Sequence, residues 1–268
     1  MISAIVLTKN EEKMIQTCLE SIKWVDEIIV VDNGSTDKTL EEVQKYTEKI
    51  YQSDKPSFAE RRNLGLSKAK GNFILCVDAD ERVTHDLKTE ILEKVNSSFE
   101  EVAWDTPRRN IILGEEKRYK PFWPDYVTRL FKREFLKGWV GDVHEYPEFD
   151  GKHGKLKNAL LHLTHRDIDS MVLKSLSWAN IDAKLRVDAN HPQMTGWRFL
   201  RILFTELWNQ GIKRRGFFNG TVGVIDALLQ VFSMYISYVK LWQLQRKETL
   251  EETYQKIDQQ LLKSNFRY

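Results

Sequence analysis

The sequence predicts an α/β fold: a Rossmann-like, mainly parallel mixed sheet flanked by helices and followed by a helical, amphipathic C-terminal extension. Short β-branched apolar runs alternate with helix-like segments over the first third of the chain, which is typical of parallel βαβ units. Polar residues directly follow three of these runs, where open α/β sheets place ligand-binding groups. The last third is rich in aromatic and basic residues and contains longer segments with helical periodicity. These features predict the C-terminal helical extension.

The expected strands come first because they position the polar motifs. Each run is short, apolar and bounded by turn residues, so we expect it to form a buried strand. The runs are 2–7, 28–31, a weak one near 49–52, and 73–77.

Helical periodicity fills the segments between these strands. Apolar residues recur on one face after Asn10, after Ser35 or Thr36, from about Phe58 to Ala69, and from Thr84 to Val95. Asn10 and Ser35 or Thr36 are suitable N-caps, because their side-chain oxygens can accept from the first free N–H groups of a helix.

The middle of the chain has a different pattern. From about Val102 to Leu163, short strand-like runs mix with prolines and the turn Asp150-Gly151, which predicts antiparallel strands and long loops that complete the sheet. A helical period returns from Asp167 to Leu185. We therefore expect a first domain at residues 1–190 and a C-terminal helical region at 191–268.

Segment 193–247 has the composition of a membrane-interface region. It holds eight Lys or Arg against two acids, together with ten aromatic residues, and this mixture is typical of helices that lie on anionic lipid. Its longest apolar stretch, about Ala227 to Val239, is shorter than the ~20 residues of a spanning helix. We expect it to lie on a membrane or on a partner, and the alternative is a pair of ordinary core helices.

Charge and cysteine content narrow the function further. The formal net charge of +2 is too small to argue for nucleic acid. Cys18 and Cys76 are the only cysteines and lie in apolar patterns, so neither a disulfide framework nor a cysteine zinc site is expected. A strand-like start without a basic leader favours the cytoplasm.

Two carboxylates close the last of the parallel strands. Asp78 and Asp80 flank Ala79 after run 73–77, and in an extended stretch residues i and i+2 point the same way. Both are therefore expected to reach one cluster in which Mg²⁺ or Mn²⁺ completes its shell with phosphate oxygens and water. Such a pair also occurs by chance at helix caps, so it does not establish a site alone.

A polar turn follows the second strand. In the segment Asp32 to Asp37, Gly34 permits the positive φ of a tight turn. Together with the segment Thr8 to Glu11 at a neighbouring strand end, it would form the walls of a pocket at a topological switch point. A carboxylate there suits hydrogen bonds to a base N–H or a ribose hydroxyl.

The polar segments of this region form four motifs: Thr8-Lys9-Asn10-Glu11, Asp32-Asn33-Gly34-Ser35-Thr36-Asp37, Arg62-Asn63 and Asp78-Ala79-Asp80-Glu81. Together they resemble those of a family 2 glycosyltransferase of the GT-A fold. The resemblance continues into 141–145, 161–164 and 216–220. The longer pattern is similar to bacterial lipopolysaccharide core β-glucosyltransferases. The Gln-x-x-Arg-Trp signature of processive synthases is absent, so the resemblance implies transfer of a single sugar.

The resemblance implies roles in donor binding. Thr8, Glu11 and Asp32 would contact the uridine of a nucleotide sugar, and Arg62 and Asp78 would help hold its ribose or diphosphate.

The resemblance also implies a divalent metal, Mn²⁺ or Mg²⁺, coordinated by Asp80. A histidine later in the chain adds a metal contact in many relatives. His162 matches that position best and His165 is the reserve. The alternative for His162 is a histidine satisfied at a strand end.

Transfer requires a general base that takes the proton from the acceptor hydroxyl. Many relatives use the Asp of a Glu-Asp pair, and the matching place here is His144-Glu145. We assign Glu145, with His144 and Asp142 as open alternatives.

The implied reaction is inverting, because attack opposite the leaving diphosphate turns an α-linked donor into a β-glycoside. The expected partners are a nucleotide sugar, a glycan or lipid-linked acceptor such as lipopolysaccharide core, and the inner face of the cytoplasmic membrane. One competing hypothesis is a nucleotidyltransferase, which usually carries a Gly-rich phosphate loop after its first strand, where this chain has none. Another is a non-catalytic, membrane-associated nucleotide-binding scaffold.

Overall fold

The computed structural model describes residues 1–55, 57–118, 123–141 and 145–266. The chain forms two compact units, Met1–Thr164 and His165–Tyr268. The division by compactness falls at the end of the last strand, earlier than residue 190. The functional boundary at residue 190 stays a prediction.

The N-terminal unit contains the strands, which we number in chain order. Their bounds are β1 Ile2–Thr8, β2 Glu27–Asp32, β3 Ile50–Gln52, β4 Phe73–Asp78, β5 Glu81–Val83, β6 Glu101–Ile112, β7 Glu115–Glu116, β8 Asp125–Lys132, β9 Leu136–Val140, β10 Tyr146–Phe149, β11 Lys152–Lys155 and β12 Leu160–Thr164.

The main sheet has the order β3-β2-β1-β4-β8-β6-β12-β5, with β7 and β11 also pairing with β6. Strands β3, β2, β1 and β4 are parallel, whereas β8 is antiparallel to both β4 and β6. Strands β9 and β10 form a separate antiparallel pair. This mixed, mostly parallel sheet confirms the predicted fold class. The expected antiparallel completion is correct for β7, β8 and the β9–β10 pair, but it is wrong for β11 and β12, which pair with β6 in the parallel sense.

Strand β1 shows why its residues form an uninterrupted apolar run. Ala4 and Val6 enter one buried cluster, while Ile5 and Leu7 enter a second cluster. A parallel strand covered on both faces needs apolar residues at successive positions rather than at alternate ones. The central strand is therefore fixed on both faces, which holds the polar residues at its end in place.

The helices alternate with the strands and then form the C-terminal unit. Their bounds are α1 Ile15–Ile22, α2 Thr39–Gln44, α3 Phe58–Lys68, α4 His85–Asn96, α5 Ile168–Asp188, α6 Gly196–Glu206, α7 Gly220–Leu244 and α8 Leu250–Lys263.

The predicted N-caps of the first two helices are wrong. Helix α1 begins at Ile15 and α2 at Thr39, several residues after Asn10 and Ser35, and neither helix has a side-chain cap hydrogen bond. The loop side chains bond across to each other instead, as described below. The cap of α3 follows the usual pattern, because the Ser57 side chain accepts from the Glu60 N–H.

The C-terminal unit consists of α5 to α8 joined by short segments, and α7 packs along α5. A π-helical segment, Leu207–Lys213, continues α6 directly. By length and composition, α7 could cross a membrane, a criterion that core helices of soluble proteins also meet. The prediction that this segment is too short to span is therefore wrong: apolar residues on both sides of 227–239 extend the helix to 25 residues.

Candidate active site

The carboxyl ends of three adjacent strands bring the predicted donor residues together. Thr8 pairs with Asp32 across β1 and β2, and Leu7 pairs with Asp78 across β1 and β4. The crossovers change direction between β1 and β4 in the strand order, so this edge is a topological switch point, where open α/β sheets bind ligands.

Two loops at this edge are bonded to each other. The Asn10 side-chain oxygen accepts from the Thr36 N–H at 2.8 Å, and the Asn10 N–H donates to Ser35 Oγ at 2.8 Å. The Glu11 N–H donates to Thr39 Oγ1 at 2.7 Å. These bonds use the groups that would otherwise cap helices, and they hold the two predicted pocket walls against one another.

Asp32 is buried beneath its own loop. One oxygen accepts from the N–H groups of Gly34 and Ser35 at 3.0 and 2.9 Å, and the other accepts from the Ser35 hydroxyl at 2.5 Å. Gly34 adopts a φ of +75°, which allows the backbone to fold over the carboxylate. Thr8 is also buried, and within the described residues its Oγ1 has no hydrogen-bond partner.

Asp78 lies in a cluster of opposite charges. Arg62 Nη2 donates to one carboxylate oxygen at 2.8 Å, and Arg129 donates to the other. Arg129 also donates to Glu81 at 2.6 Å, and Glu81 accepts from the Asp78 N–H at 3.0 Å. The Glu81 and Arg129 side chains are buried, so this is a desolvated ion-pair network rather than a surface pair.

The network sets the charge of Asp78. Burial by itself would raise the pKa of the Asp78 carboxyl, but the Arg129 and Arg62 guanidinium groups outweigh burial and hold the pKa well below its ordinary value. The carboxylate therefore stays ionised at every pH at which the protein is expected to work. Within the described part of the chain, the buried Arg62 Nη1 has no hydrogen-bond partner.

Asp80 has a different partner from Asp78. Strand β4 ends at Asp78 and residues 79–80 form a turn, so the extended geometry expected from sequence is wrong. The turn brings the Asp80 carboxylate to 3.3 Å from His162 Nε2. Strand β12 carries His162 and pairs with β5, which follows the turn directly.

A chain of hydrogen bonds fixes the tautomer of His162. Arg108 binds the Asp125 carboxylate at 2.7 Å, and the Asn110 amide nitrogen donates to the same carboxylate at 3.0 Å. The Asn110 amide oxygen therefore faces His162 Nδ1 at 2.7 Å. Because an amide oxygen can only accept, Nδ1 carries a proton, and in the neutral ring Nε2 presents its lone pair to Asp80.

The Asp80–His162 pair fits a divalent cation. A lone pair and a carboxylate oxygen at 3.3 Å repel each other unless a proton or a cation lies between them. Metal-binding histidines usually donate their other N–H to a protein acceptor, which Asn110 supplies here. Within the described ranges, no group of three or more His, Cys, Asp or Glu side chains gathers, so phosphate oxygens and water would complete the shell.

The structure describes the candidate base Glu145 and the reserve metal ligand His165, but not the two alternative bases. The Glu145 carboxylate lies 3.8 Å from Arg62 Nε, which connects it to the Asp78 network. Its rivals as base, Asp142 and His144, lie outside the described residues. The reserve ligand His165 begins the C-terminal unit, with Nδ1 3.9 Å from the buried Asp226 carboxylate.

Sequence reasoning missed Arg129, Asn110 and Asp125, and gave Glu81 no role. A signal was present: Arg129 interrupts the apolar run of β8, and a charge on a buried strand face needs a partner. The sequence could not identify that partner, which lies 51 residues away along the chain.

The fold and this edge define an α/β protein with a candidate ligand site at a topological switch point, and comparison identifies the family. Residues 3–146 match the model of glycosyl transferase family 2. Since the match covers more than half of the chain, the protein belongs to this family and is a glycosyltransferase.

Relatives extend the likeness to most of the chain. A lipopolysaccharide core biosynthesis glycosyltransferase, LpsC from Rhizobium meliloti, is 25% identical over 258 residues, covering 87% of this chain and 92% of the relative. An uncharacterized glycosyltransferase from Rickettsia conorii is 25% identical over 254 residues, covering 90% and 89%.

Solved structures give looser superpositions. The mannosyltransferase PcManGT from Pyrobaculum calidifontis, in complex with GDP-Man and Mn²⁺, aligns with a TM-score of 0.49 at 16% identity over 97% of this chain and 79% of that one. TarS 1-349 from S. aureus, in complex with UDP-GlcNAc, aligns with a TM-score of 0.48 at 16% identity over 90% and 88%. At this distance, the ligands are properties of those proteins alone.

Proposed function

We propose that this glycosyltransferase is an inverting, metal-dependent, non-processive hexosyltransferase. It would move a sugar from a nucleotide donor, UDP-hexose, to a cell-envelope glycan or lipid-linked acceptor such as lipopolysaccharide core. The observation that carries the proposal is the pairing of Asp80 with a His162 Nε2 whose lone pair is fixed by Asn110.

The donor would bind along the ends of β2, β1 and β4. Thr8, whose hydroxyl has no hydrogen-bond partner among the described residues, and the half-buried Glu11 would contact the uridine. Asp32 would act through its loop, since its carboxylate is buried under Gly34 and Ser35. The role of Asp32 as a direct uridine contact stays a prediction that requires the loop to open.

Charged side chains that would bind the diphosphate are already held in place by ion pairs. Arg62 Nη1, which has no hydrogen-bond partner among the described residues, would donate to a phosphate oxygen, while Nη2 remains bonded to Asp78. Because the Arg62–Asp78–Arg129 network is already formed, little reorganisation is needed when charge develops on the leaving group.

Asp80 and His162 would hold the divalent metal, Mn²⁺ or Mg²⁺. When bound, such a cation neutralises charge on the departing diphosphate. The chain contributes one oxygen and one nitrogen donor at a strand–turn boundary, held in place by strands β5 and β12.

Glu145 would act as the general base. Its carboxylate takes the proton from the acceptor hydroxyl as that oxygen attacks the anomeric carbon and the bond to the nucleoside diphosphate breaks. Arg62 Nε lies 3.8 Å away and orients the carboxylate. Attack on the face opposite the diphosphate inverts the anomeric centre, and no covalent enzyme intermediate is required.

The acceptor proposal draws on a relative and on composition. LpsC is described as a lipopolysaccharide core biosynthesis enzyme. An acceptor of that kind is lipid-linked, which agrees with the aromatic and basic C-terminal segment. The proposed location is the cytoplasm, at the inner face of the cytoplasmic membrane.

Turnover of nucleotide sugars tests the proposal. UDP release from a panel of UDP-hexoses is measured with Mn²⁺ or Mg²⁺, with a lipopolysaccharide core acceptor, and after chelation. We expect release that depends on sugar, metal and acceptor and that is lost in Asp80→Ala. Tight donor binding without any release would instead support the non-catalytic scaffold, and pyrophosphate release from a nucleoside triphosphate would support a nucleotidyltransferase.

A further inference from the structure

Helix α6 and the π-helical segment that continues it carry an apolar stripe that faces solvent. The stripe residues recur every three or four positions, and each has an exposed side chain. We call this set the α6 stripe: Trp197, Leu200, Phe204, Trp208 and Ile212.

The opposite face of α6 packs against other residues of the C-terminal unit. Ile202 is buried in a cluster with Ala183 and Leu241, and Phe199 contacts the Tyr235 ring at 5.6 Å between centroids. The helix therefore has two apolar faces, one packed within the C-terminal unit and one in solvent. Packing within the unit explains the first face only, and Trp197 and Trp208 remain 73% and 63% exposed.

A tight turn extends the stripe. Gly211 lies directly under the Phe217 ring, so close that a Cβ would be 2.2 Å from it. A Cβ on Gly216 would be 2.5 Å from the Cβ of Ala227. These contacts fix the turn Gly216–Phe218 and hold Phe218, which is 68% exposed, at the end of the apolar surface.

The net positive charge around the stripe indicates which kind of partner this surface would bind. Residues 195–219 contain five basic residues and one acid, and the side-chain amides of Asn209 and Gln210 bind that acid, Glu206, at 3.4 and 3.3 Å. Arg201 and Lys213 are exposed beside the stripe. A second copy of this chain in a symmetric contact would oppose like charges, whereas anionic phospholipid is complementary both to the rings and to the cations.

We propose that the α6 stripe inserts in the plane of an anionic membrane surface, with Trp197, Phe204 and Trp208 at the headgroup boundary. Helix α7 stays in the helical unit, because it packs along α5 and buries Asp226. The proposal deepens the proposed function, on which it rests for a lipid-linked acceptor, by specifying which surface meets the membrane.

Flotation of the full chain with vesicles tests the surface. The vesicles contain phosphatidylcholine alone or equal parts phosphatidylcholine and phosphatidylglycerol. We expect binding to the anionic vesicles only, weakened at high salt and reversed by a carbonate wash. Equal binding to neutral vesicles, no binding, or resistance to the carbonate wash would each overturn the proposal, the last by indicating that α7 spans the bilayer.

Matched variants locate the contact. Trp197→Ser with Trp208→Ser should weaken binding by at least about tenfold, since large apolar side chains leave the interface. The control, Leu173→Ser with Leu262→Ser, removes side chains that are 64% and 67% exposed on α5 and α8 and should bind as the unaltered chain does. Equal losses in both variants would overturn the assignment to α6.

A charge pair completes the design. Arg201→Gln with Lys213→Gln should weaken binding roughly twenty- to thirtyfold, about fivefold per charge, whereas Lys174→Gln with Lys184→Gln on α5 should not. If the stripe variant instead abolishes a concentration-dependent dimer and leaves vesicle binding intact, a second copy is the occupant and the proposal fails. UDP release measured without vesicles keeps a failure here distinct from a failure of the proposed function.

Discussion

Two carboxylates at the end of β4 lie two residues apart in sequence and in contrasting surroundings. Asp78 is bonded by the guanidinium groups of Arg62 and Arg129. Asp80 faces the Nε2 atom of His162, and the other ring nitrogen, Nδ1, donates its proton to the Asn110 side chain. The difference teaches that neighbouring acids of one motif can have different surroundings: Asp78 is neutralised by two guanidinium groups, whereas Asp80, in the proposed function, would present its charge to a ligand.

The strongest test of this division is a change of activity without a change of fold. Asp80→Asn keeps the size of the side chain but removes its charge, so transfer should fall roughly a thousandfold, as expected for losing several kcal/mol of metal-assisted charge stabilisation. The thermal midpoint should stay close to that of the unaltered chain. UDP release and calorimetry on the same preparations measure both, and near-normal transfer would remove Asp80 from its role.

The base should show a similar loss with a different signature. Glu145→Gln should lower the turnover rate by at least about a hundredfold, the typical contribution of a general base, while donor affinity is retained. The matched control is Glu148→Gln, an exposed acid on the same strand region. Retained transfer in Glu145→Gln would move the assignment to Asp142 or His144, each of which can then be substituted separately.

Asp78 should behave in the opposite way from Asp80. Asp78→Asn leaves buried cationic groups of Arg62 and Arg129 without their shared carboxylate, which should cost about 3 kcal/mol of unfolding free energy. Urea unfolding measures the loss. Asp150→Asn, which removes an exposed ion pair with Lys137, is the control and should change stability by under about 1 kcal/mol. Equal stability of the Asp78 and Asp80 variants would erase the contrast.

The hydrogen-bond chain behind His162 should tune metal affinity rather than fold. Asn110→Ala removes the acceptor that holds the Nδ1 proton, so both tautomers should become populated and Mn²⁺ affinity should fall about ten- to a hundredfold. Electron paramagnetic resonance of free Mn²⁺ gives the affinity, and ¹⁵N spectra of the imidazole report the tautomer. Asn72→Ala, on an exposed loop, is the control; unchanged spectra and affinity in Asn110→Ala would refute the coupling.

Much of the N-terminal unit was predictable because local chemistry agrees with the fold. The runs at 2–7, 28–31 and 73–77 became β1, β2 and β4, since β-branched apolar residues suit strands buried on both faces. The motif residues followed because parallel strands end at one edge. Local sequence patterns, and the resemblance of the motifs to those of a known family, were therefore enough to predict the family, the fold class and the proximity of Asp80 to His162.

The remainder depends on contacts between distant segments. Asn10 and Ser35 have the composition of N-caps, yet they bond across two loops, because a partner loop competes for the same groups. Arg129 binds Asp78, from which it is separated by 51 residues in sequence. Local hydrophobic periodicity does not predict contacts between residues so far apart. In α5, Met171 and Ala179 are buried, whereas Ile168 and Leu185 are exposed, because α5 packs along α7 and the helical period alone does not predict which side meets that distant partner.

The smallest expected effect is the pH dependence of the Asp78 network, and it sharpens the contrast with Asp80. The folded pKa of Asp78 lies below its unfolded value of about 3.9, so its contribution to stability is complete above that value and is lost as pH falls toward the folded pKa. The difference in unfolding free energy between the unaltered chain and Asp78→Asn should therefore be constant from pH 8 to about pH 5 and then shrink below about pH 4, by at most about 1.4 kcal/mol per pH unit. Urea unfolding across this range measures it, and a difference that already shrinks between pH 8 and 6 would mean that another group, not Asp78, controls the network.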